Sequence, residues 1–245
     1  MALLAPVLLA VVIGIAAMQH GSMSRARAAV LLALATVAGL FAQLTHDVVD
    51  GGGAIRIDEP ITDWVIGHRV GWLNPVVRII TDSGGVAAMT AVTIVVCAGL
   101  GARRRWPAFL VVAAAGIASA VLGSVLKSAI GRARPPVVDR LVSETNASFP
   151  SGHALGSTTI TGIVAALVVI GTARRSIRVV AVAVAAGFAV IIGLTRIYLG
   201  VHWTTDVVAG WALGILLIAL CLTPYLWWRR GRSAGHGRHD QEYDQ

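Results

Sequence analysis

The chain has 245 residues, of which 56% are hydrophobic and only 13% are charged. Soluble domains carry roughly 25% charged residues, so this composition, with a mean hydropathy of +0.78, favours a membrane protein with several spans over a soluble domain. The formal net charge of +8 does not indicate nucleic-acid binding, because the basic residues are scattered between apolar runs rather than gathered in a stripe.

Seven apolar stretches follow one another along the chain, and helices are expected because no alternating strand pattern is present. A helix needs about 20 residues to cross the hydrocarbon core, and the stretches reach or approach this length. They run over Ala2–Met18, Ala28–Leu44, Gly85–Leu100, Ala108–Leu126, Ser157–Thr172, Arg178–Leu194 and Val207–Trp228. The predicted fold is therefore all-α, a polytopic membrane bundle of six core transmembrane helices plus a candidate extra one at the N-terminus.

Three parts of the chain are expected to differ in structure. Residues 1–22 are either an extra transmembrane helix or an extension upstream of a start at Met23. Residues 23–232 form a single membrane domain. Residues 233–245 are polar and are expected to be a disordered cytoplasmic tail.

The connecting segments alternate in charge. Arginines without acidic neighbours occupy every second connection and the tail, at Arg25 and Arg27, Arg103 to Arg105, Arg174, Arg175 and Arg178, and Arg229, Arg230 and Arg232. The positive-inside rule places these segments in the cytoplasm. The acidic connections then face outward, in a protein of the plasma membrane.

The outward connection from Thr45 to Gly84 is long. Asp58-Glu59-Pro60 is typical of a helix start, and the stretch Ile61–Val70 has apolar residues at helical spacing. A second short segment begins at Asn74-Pro75. Helices lying at the membrane interface and an ordinary packed loop both fit this pattern.

Three polar clusters lie where this topology puts the outer ends of the apolar helices. They are Lys127 with Arg134-Pro135, then Pro150-Ser151-Gly152-His153, and then Thr195-Arg196 with His202 and Asp206. Cations at helix ends in a membrane are costly and usually functional. Guanidinium groups suit phosphate oxygens, and a helix that starts at Ser151-Gly152 offers backbone N–H groups to an anion.

His202 and Asp206 are four residues apart, which puts them on one face if they lie on a helix. A carboxylate there can keep one imidazole nitrogen protonated and leave the other free to attack. Each cluster also has an ordinary explanation: Lys127 and Arg132 are typical interface anchors, and a lone His–Asp pair is more often structural. The occurrence of all three clusters on one face favours a phosphate site.

Together the clusters resemble the signature of the type 2 phosphatidic acid phosphatase superfamily, Lys-x6-Arg-Pro, Pro-Ser-Gly-His and Ser-Arg-x5-His-x3-Asp. The match departs at Thr195, where serine is usual, and threonine keeps the hydroxyl. The resemblance implies a nucleophile (His202), a carboxylate that orients it (Asp206) and an acid for the leaving group (His153). It also implies a phosphate-binding set made of Lys127, Arg134, Ser151, Gly152 and Arg196, and no metal or cofactor.

The membrane branch of this superfamily implies a lipid phosphate substrate. We expect isoprenyl diphosphate first, because the site faces outward, with phosphatidylglycerol phosphate and phosphatidic acid as alternatives. A lipid phosphotransferase would use the same phosphohistidine, whereas a non-catalytic lipid transporter would not need His153, His202 and Asp206. A vanadium haloperoxidase is disfavoured because those enzymes are soluble.

Overall fold

A computed structural model of the chain describes residues 24–242. In this range the regular structure is entirely helical, with two short 3₁₀ turns at Gly53–Ile57 and Val137–Asp139. The α-helices are α1 (Arg25–Asp50), α2 (Asp58–Gly67), α3 (Leu73–Ser83), α4 (Val86–Ala102), α5 (Trp106–Ile130), α6 (Gly152–Gly171), α7 (Arg175–Tyr198) and α8 (Thr204–Glu242).

Six segments within residues 24–242 are long and apolar enough to cross a bilayer, which confirms the predicted bundle. They are Arg27–Asp50, Leu73–Ala102, Trp106–Ile130, Gly152–Gly171, Arg175–Tyr198 and Thr204–Arg230. The second combines α3 and α4, which a turn at Gly84 and Gly85 separates. The candidate extra helix at residues 1–22 lies outside the described residues.

Local sequence signals set the helix ends. Ser24 caps α1 by accepting a hydrogen bond from the Arg27 N–H, and Ser151 caps α6 in the same way. Helices α1 and α5 each end at a glycine in the left-handed region, Gly51 with φ 71° and Gly131 with φ 64°. Glycine has no Cβ and adopts this conformation at little cost, so the connections on the site side leave their helices sharply.

Helix α6 occupies the centre of the bundle and packs against α4, α5, α7 and α8. In an apolar 18-residue stretch of α6, 44% is buried, against 11% in the corresponding stretch of α1. Apolar side chains on the outer helices are correspondingly exposed, among them Val95 and Val184. An apolar surface of this extent fits contact with lipid tails rather than water.

Two glycines one turn apart allow α8 to approach α6 closely. A Cβ placed on Gly210 would lie 2.7 Å from the backbone oxygen of Ser151, and one on Gly214 would lie 2.8 Å from Cβ of Thr158. Small residues at this spacing let helix backbones approach in membranes. The approach brings the start of α6 beside the start of α8.

The connection after α1 folds over the end of the bundle where α6 and α8 start. Ile61 and Val65 on α2 pack against Ile197 and Val207, and Asp58 accepts a hydrogen bond from the Thr205 N–H. Of the two structures that fit the sequence here, short helices and a packed loop, the chain forms helices, with α2 beginning at Asp58 and α3 at Leu73. Their position at a membrane interface stays a prediction.

The last helix continues beyond its apolar part. The structure extends α8 to Glu242, where the sequence predicts a disordered tail from residue 233. The helical hydrogen-bond pattern is made by the backbone, so it can continue into polar sequence. The division into residues 1–22, 23–232 and 233–245 stays a prediction.

The close approach of α6 and α8 predicts the effect of Gly210→Ala. The added Cβ meets backbone, which cannot move aside as a side chain does, so we expect a loss of about 1–3 kcal/mol in the free energy of unfolding. Gly187→Ala is the matched control, because a Cβ there meets nothing within 4 Å. Thermal unfolding in detergent should show a lower midpoint for Gly210→Ala alone, and equal midpoints would contradict this close packing of α6 and α8.

Candidate active site

His202 and Asp206 lie together at the buried end of the bundle. His202 stands just before α8, after Gly200 with φ 68°, and Asp206 lies in the first turn of that helix. His202 Nδ1 is 3.4 Å from Asp206 Oδ2 and 3.3 Å from Ser148 Oγ. The predicted pairing is present, although His202 precedes the helix instead of lying on it.

Arg134 fixes the other side of the imidazole. Its Nη1 lies 3.1 Å from His202 Nε2 and also donates to the backbone oxygen of Val201 at 2.5 Å. Its Nε donates to the backbone oxygen of Asn146 at 2.8 Å. A guanidinium can only donate, so Nε2 is the acceptor and the proton of neutral His202 lies on Nδ1, facing Asp206.

Burial sets the charge of these two groups. Desolvation lowers the pKa of His202 from 6.5 to about 3, because the hydrogen bond and the charge of Asp206 only partly oppose it. Desolvation also lowers the pKa of the Arg134 guanidinium, and Glu144 opposes that change. His202 is therefore a neutral imidazole, with a lone pair on Nε2 directed at a cation.

Lys127 lies at the end of α5 and bends toward the same place. Its Nζ donates to the backbone oxygens of Ala147 at 2.5 Å and Ser148 at 3.3 Å. A Cβ on Gly152 would lie 3.9 Å from Lys127 Cε, so the ammonium lies near the first turn of α6. The anchor interpretation of Lys127 is wrong, since its side chain binds the loop beside His202.

Arg196 and Arg134 share one carboxylate. Glu144 accepts a hydrogen bond from Arg196 Nη2 and lies 3.5 Å from Arg134 Nη2. Arg196 Nη1 also donates to Thr81 Oγ1 at 3.0 Å, while its Nε has no hydrogen-bond partner among residues 24–242. An anion thus already lies between the two guanidinium groups. The sequence places Glu144 only among the outward acidic residues, because no motif includes it.

The start of α6 completes the cluster. Ser151 N–H donates to the backbone oxygen of Asp206 at 3.0 Å, and Ser151 Oγ caps the helix at Ala154 N–H, 3.5 Å away. His153, in the same turn, is close enough to Lys127, Arg134 and Arg196 for their charges to act on its imidazole. All eight sequence-predicted residues therefore meet at one end of the bundle.

Arg132 was expected to be an interface anchor, and the structure shows otherwise. Its side chain is only 12% exposed, and its Nη1 donates to Asp206 Oδ1 at 2.5 Å. Its Nη2 donates to Asp58 Oδ2 at 2.7 Å. Sequence reasoning missed Arg132, Asp58 and Ser148 as site residues, because their partners are distant along the chain.

Comparison with known proteins places this chain in a family. The family described as the PAP2 superfamily matches residues 106–230. Phosphatidylglycerophosphatase B of Bacillus subtilis is 35% identical over 165 residues, which are 66% of this chain and 80% of that protein. Undecaprenyl-diphosphatase of Sulfolobus acidocaldarius is 36% identical over 99 residues, which are 38% of this chain and 44% of that protein.

A solved structure agrees with the fold. The crystal structure of a transmembrane PAP2-type phosphatidylglycerolphosphate phosphatase from Bacillus subtilis superposes with a TM-score of 0.67 at 30% identity. The superposition covers 77% of this chain and 93% of that one. The matched residues include every part of the three-part signature. The chain belongs to the PAP2 superfamily, in its membrane branch, and is a multi-pass membrane lipid phosphatase.

Proposed function

We propose that the protein hydrolyses a terminal phosphate of a membrane lipid through a phosphohistidine on His202. The observation that carries the proposal is the arrangement around one imidazole. Arg134 Nη1 lies 3.1 Å from His202 Nε2, the nitrogen that would attack a phosphoryl group. Asp206 Oδ2 lies on the opposite side of the ring, beside Nδ1. A neutral nitrogen beside a fixed cation suits attack on an anionic phosphate.

In the first step His202 Nε2 forms a bond to phosphorus and the bond from phosphorus to the lipid oxygen breaks. His153 gives its proton to the departing oxygen. The imidazole becomes positively charged, and Asp206 stabilises it through Nδ1–H. In the second step His153 takes a proton from water, the hydroxide oxygen bonds to phosphorus, and the phosphorus–nitrogen bond breaks to release inorganic phosphate.

Fixed cations stabilise the charge that spreads over the phosphoryl oxygens. Lys127, Arg134 and Arg196 supply three positive charges, and the start of α6 at Ser151 and Gly152 adds backbone N–H groups. Glu144 must leave the two arginines when phosphate arrives, and its 23% exposed side chain has room to do so. That this chemistry needs no metal stays a prediction.

A lateral cavity supports a substrate with an apolar tail. A cavity of about 780 Å³ lies between α4, α6 and α7, with Met89, Val164, Val184 and Phe188 in its wall. Cavities of this size hold whole small ligands or the tails of larger ones. Ser83 also lines the cavity, and a Cβ on the nearby Gly85 would lie 3.4 Å from His153 Nε2. A lipid tail in the cavity would thus keep its head group at the site.

The charge distribution supports a site on the extracytoplasmic face of the plasma membrane. Arginine clusters lie at the start of α1, in the α4–α5 and α6–α7 connections, and where the membrane-spanning part of α8 ends. The proposed site lies at the other ends of these helices. The positive-inside rule then directs the site away from the cytoplasm.

Phosphatidylglycerol phosphate is the first substrate we propose. The similarity to phosphatidylglycerophosphatase B extends over 66% of the chain, whereas that to undecaprenyl-diphosphatase extends over 38%. This difference outweighs the orientation argument that favours isoprenyl diphosphate from sequence. Isoprenyl diphosphate remains the second candidate because one of the shorter similarities is to a diphosphatase.

The nucleophile assignment predicts that His202→Ala abolishes phosphate release and that no phosphohistidine can be trapped in it. His68→Ala is the matched control, because His68 is an exposed imidazole on the same side of the bundle and should leave turnover unchanged. Rapid quenching without acid, with lipid that carries a label on its phosphate, measures both the phosphate released and the phosphohistidine formed. Turnover by His202→Ala, or activity lost to a chelator and restored by Mg²⁺, would argue against this mechanism.

The substrate proposal predicts a ranking in a lipid panel. Purified protein in lipid nanodiscs should release phosphate fastest, as kcat/KM, from phosphatidylglycerol phosphate, then from isoprenyl diphosphate and phosphatidic acid. Phosphate release in a single turnover without an acceptor lipid separates a hydrolase from a phosphotransferase. A preference for isoprenyl diphosphate would reverse the ranking without changing the proposed chemistry.

The pKa of His202 predicts a pH dependence of stability. Unfolded histidine binds a proton below about 6.5, whereas folded His202 binds it only near 3, so the unfolded state holds more protons in between. Stability therefore falls as the pH decreases through this window, by at most about 1.4 kcal/mol per pH unit. In thermal unfolding at a series of pH values, His202→Gln should show a shallower slope than wild type and than His68→Gln. Equal slopes would show that His202 protonates freely in the folded protein.

A further inference from the structure

Asp206 presents its two carboxylate oxygens to different partners. Oδ2 faces the nucleophile and accepts hydrogen bonds from Trp203 N–H at 3.0 Å and from Ser148 Oγ. Oδ1 faces away from His202 and accepts from Arg132 Nη1 at 2.5 Å. Arg132 therefore holds the oxygen that the proposed reaction does not use, and so determines which oxygen faces His202.

Arg132 is itself held on several sides. Its Nη2 donates to Asp58 Oδ2 at 2.7 Å, its Nη1 also donates to Thr205 Oγ1 at 2.8 Å, and its guanidinium lies 5.7 Å from the centre of the Trp203 ring. A planar guanidinium can bind two carboxylates along different edges. Arg132 thus bridges Asp206 and Asp58.

Asp58 ties this bridge to the start of α8. Its side chain is 3% exposed, and it accepts hydrogen bonds from Thr205 N–H at 2.9 Å and from Thr205 Oγ1 at 2.6 Å. A carboxylate at a helix start is favoured by the helix dipole. Asp58 comes from the connection after α1, outside residues 106–230 that the family matches.

The charges explain what the bridge does. Two carboxylates share one guanidinium, so Arg132 does not neutralise Asp206 completely. Without the charge of Asp58, the attraction of Arg132 would fall on Asp206 alone and weaken its hold on a positively charged His202. Without Arg132, Asp206 would keep a buried oxygen with no cation, which is costly.

We propose that Asp58 and Arg132 are positioning residues that fix the orientation and the charge of Asp206 and reach His202 only through it. The proposal rests on the role given to His202 above. It extends the pair of His202 and Asp206 to a chain of four groups, Asp58, Arg132, Asp206 and His202.

Steady-state kinetics of the full chain in nanodiscs, with phosphatidylglycerol phosphate as substrate, test the proposal. Asp58→Asn and Arg132→Gln should each lower kcat roughly 10- to 100-fold, the range for residues that orient a catalytic ligand. KM, and inhibition by inorganic phosphate, should stay within about threefold of wild type, because the phosphate-binding cations are untouched. Arg132→Lys should recover part of the lost kcat.

A double-variant cycle separates the chain of contacts from independent effects. If Asp58 acts through Arg132, then Asp58→Asn combined with Arg132→Gln should be no slower than Arg132→Gln alone. Glu59→Gln and Arg56→Gln are the matched controls. Both residues are exposed neighbours in the same connection and should keep wild-type kcat.

Several outcomes would overturn the proposal. Wild-type kcat in Asp58→Asn and Arg132→Gln, while His202→Ala is inactive, would remove the positioning role and leave the proposed function standing. Losses that multiply in the double variant, or a parallel weakening of KM and phosphate inhibition, would show a general structural role. Turnover by His202→Ala would overturn both proposals. If Asp58→Asn does not fold, the order of kcat at position 132, with arginine above lysine and lysine above glutamine at constant KM, decides the test.

Discussion

The burial of Asp206 determines how this end of the bundle is built. Its carboxylate has no exposed surface, and removing one partner of a buried charge typically costs about 3–5 kcal/mol. The structure meets this cost with hydrogen bonds from Arg132, Ser148 and Trp203. Arg132 and Ser148 belong to the connection before α6, and Trp203 belongs to the connection before α8, so satisfying one carboxylate fixes these two connections together.

The cations of the proposed phosphate site are fixed in a comparable way. Lys127 and Arg134 donate to backbone oxygens of the connection between α5 and α6, and Arg196 donates to Thr81. Donors held in place before substrate arrives need not reorganise during the reaction. The polar network thus serves the stability of the loops and the orientation of the cations at once.

The sequence predicts the helices and the signature residues well for a physical reason. Hydropathy over a whole span is a local property, and residues such as Lys127, His153 and Arg196 lie at the ends of such spans. Arg132 and Asp206 are 74 residues apart, and Glu144 and Arg196 are 52 apart. Their contacts depend on how irregular connections fold over the bundle, and no periodicity encodes that. For this reason Arg132 looks like an interface anchor in sequence although its side chain is paired with Asp206.

The position of Glu144 between Arg134 and Arg196 has a consequence for competition in a bilayer. Most membrane phospholipids are phosphodiesters with a single negative charge, the same charge as the carboxylate already present. Exchange of Glu144 for such a head group gains little electrostatic energy, whereas a terminal phosphate with nearly two charges gains more from the same cations. In the proposed mechanism Glu144 therefore competes well against phosphodiester head groups and poorly against a terminal phosphate. A rare lipid with a terminal phosphate can then occupy the site amid an excess of ordinary phospholipids.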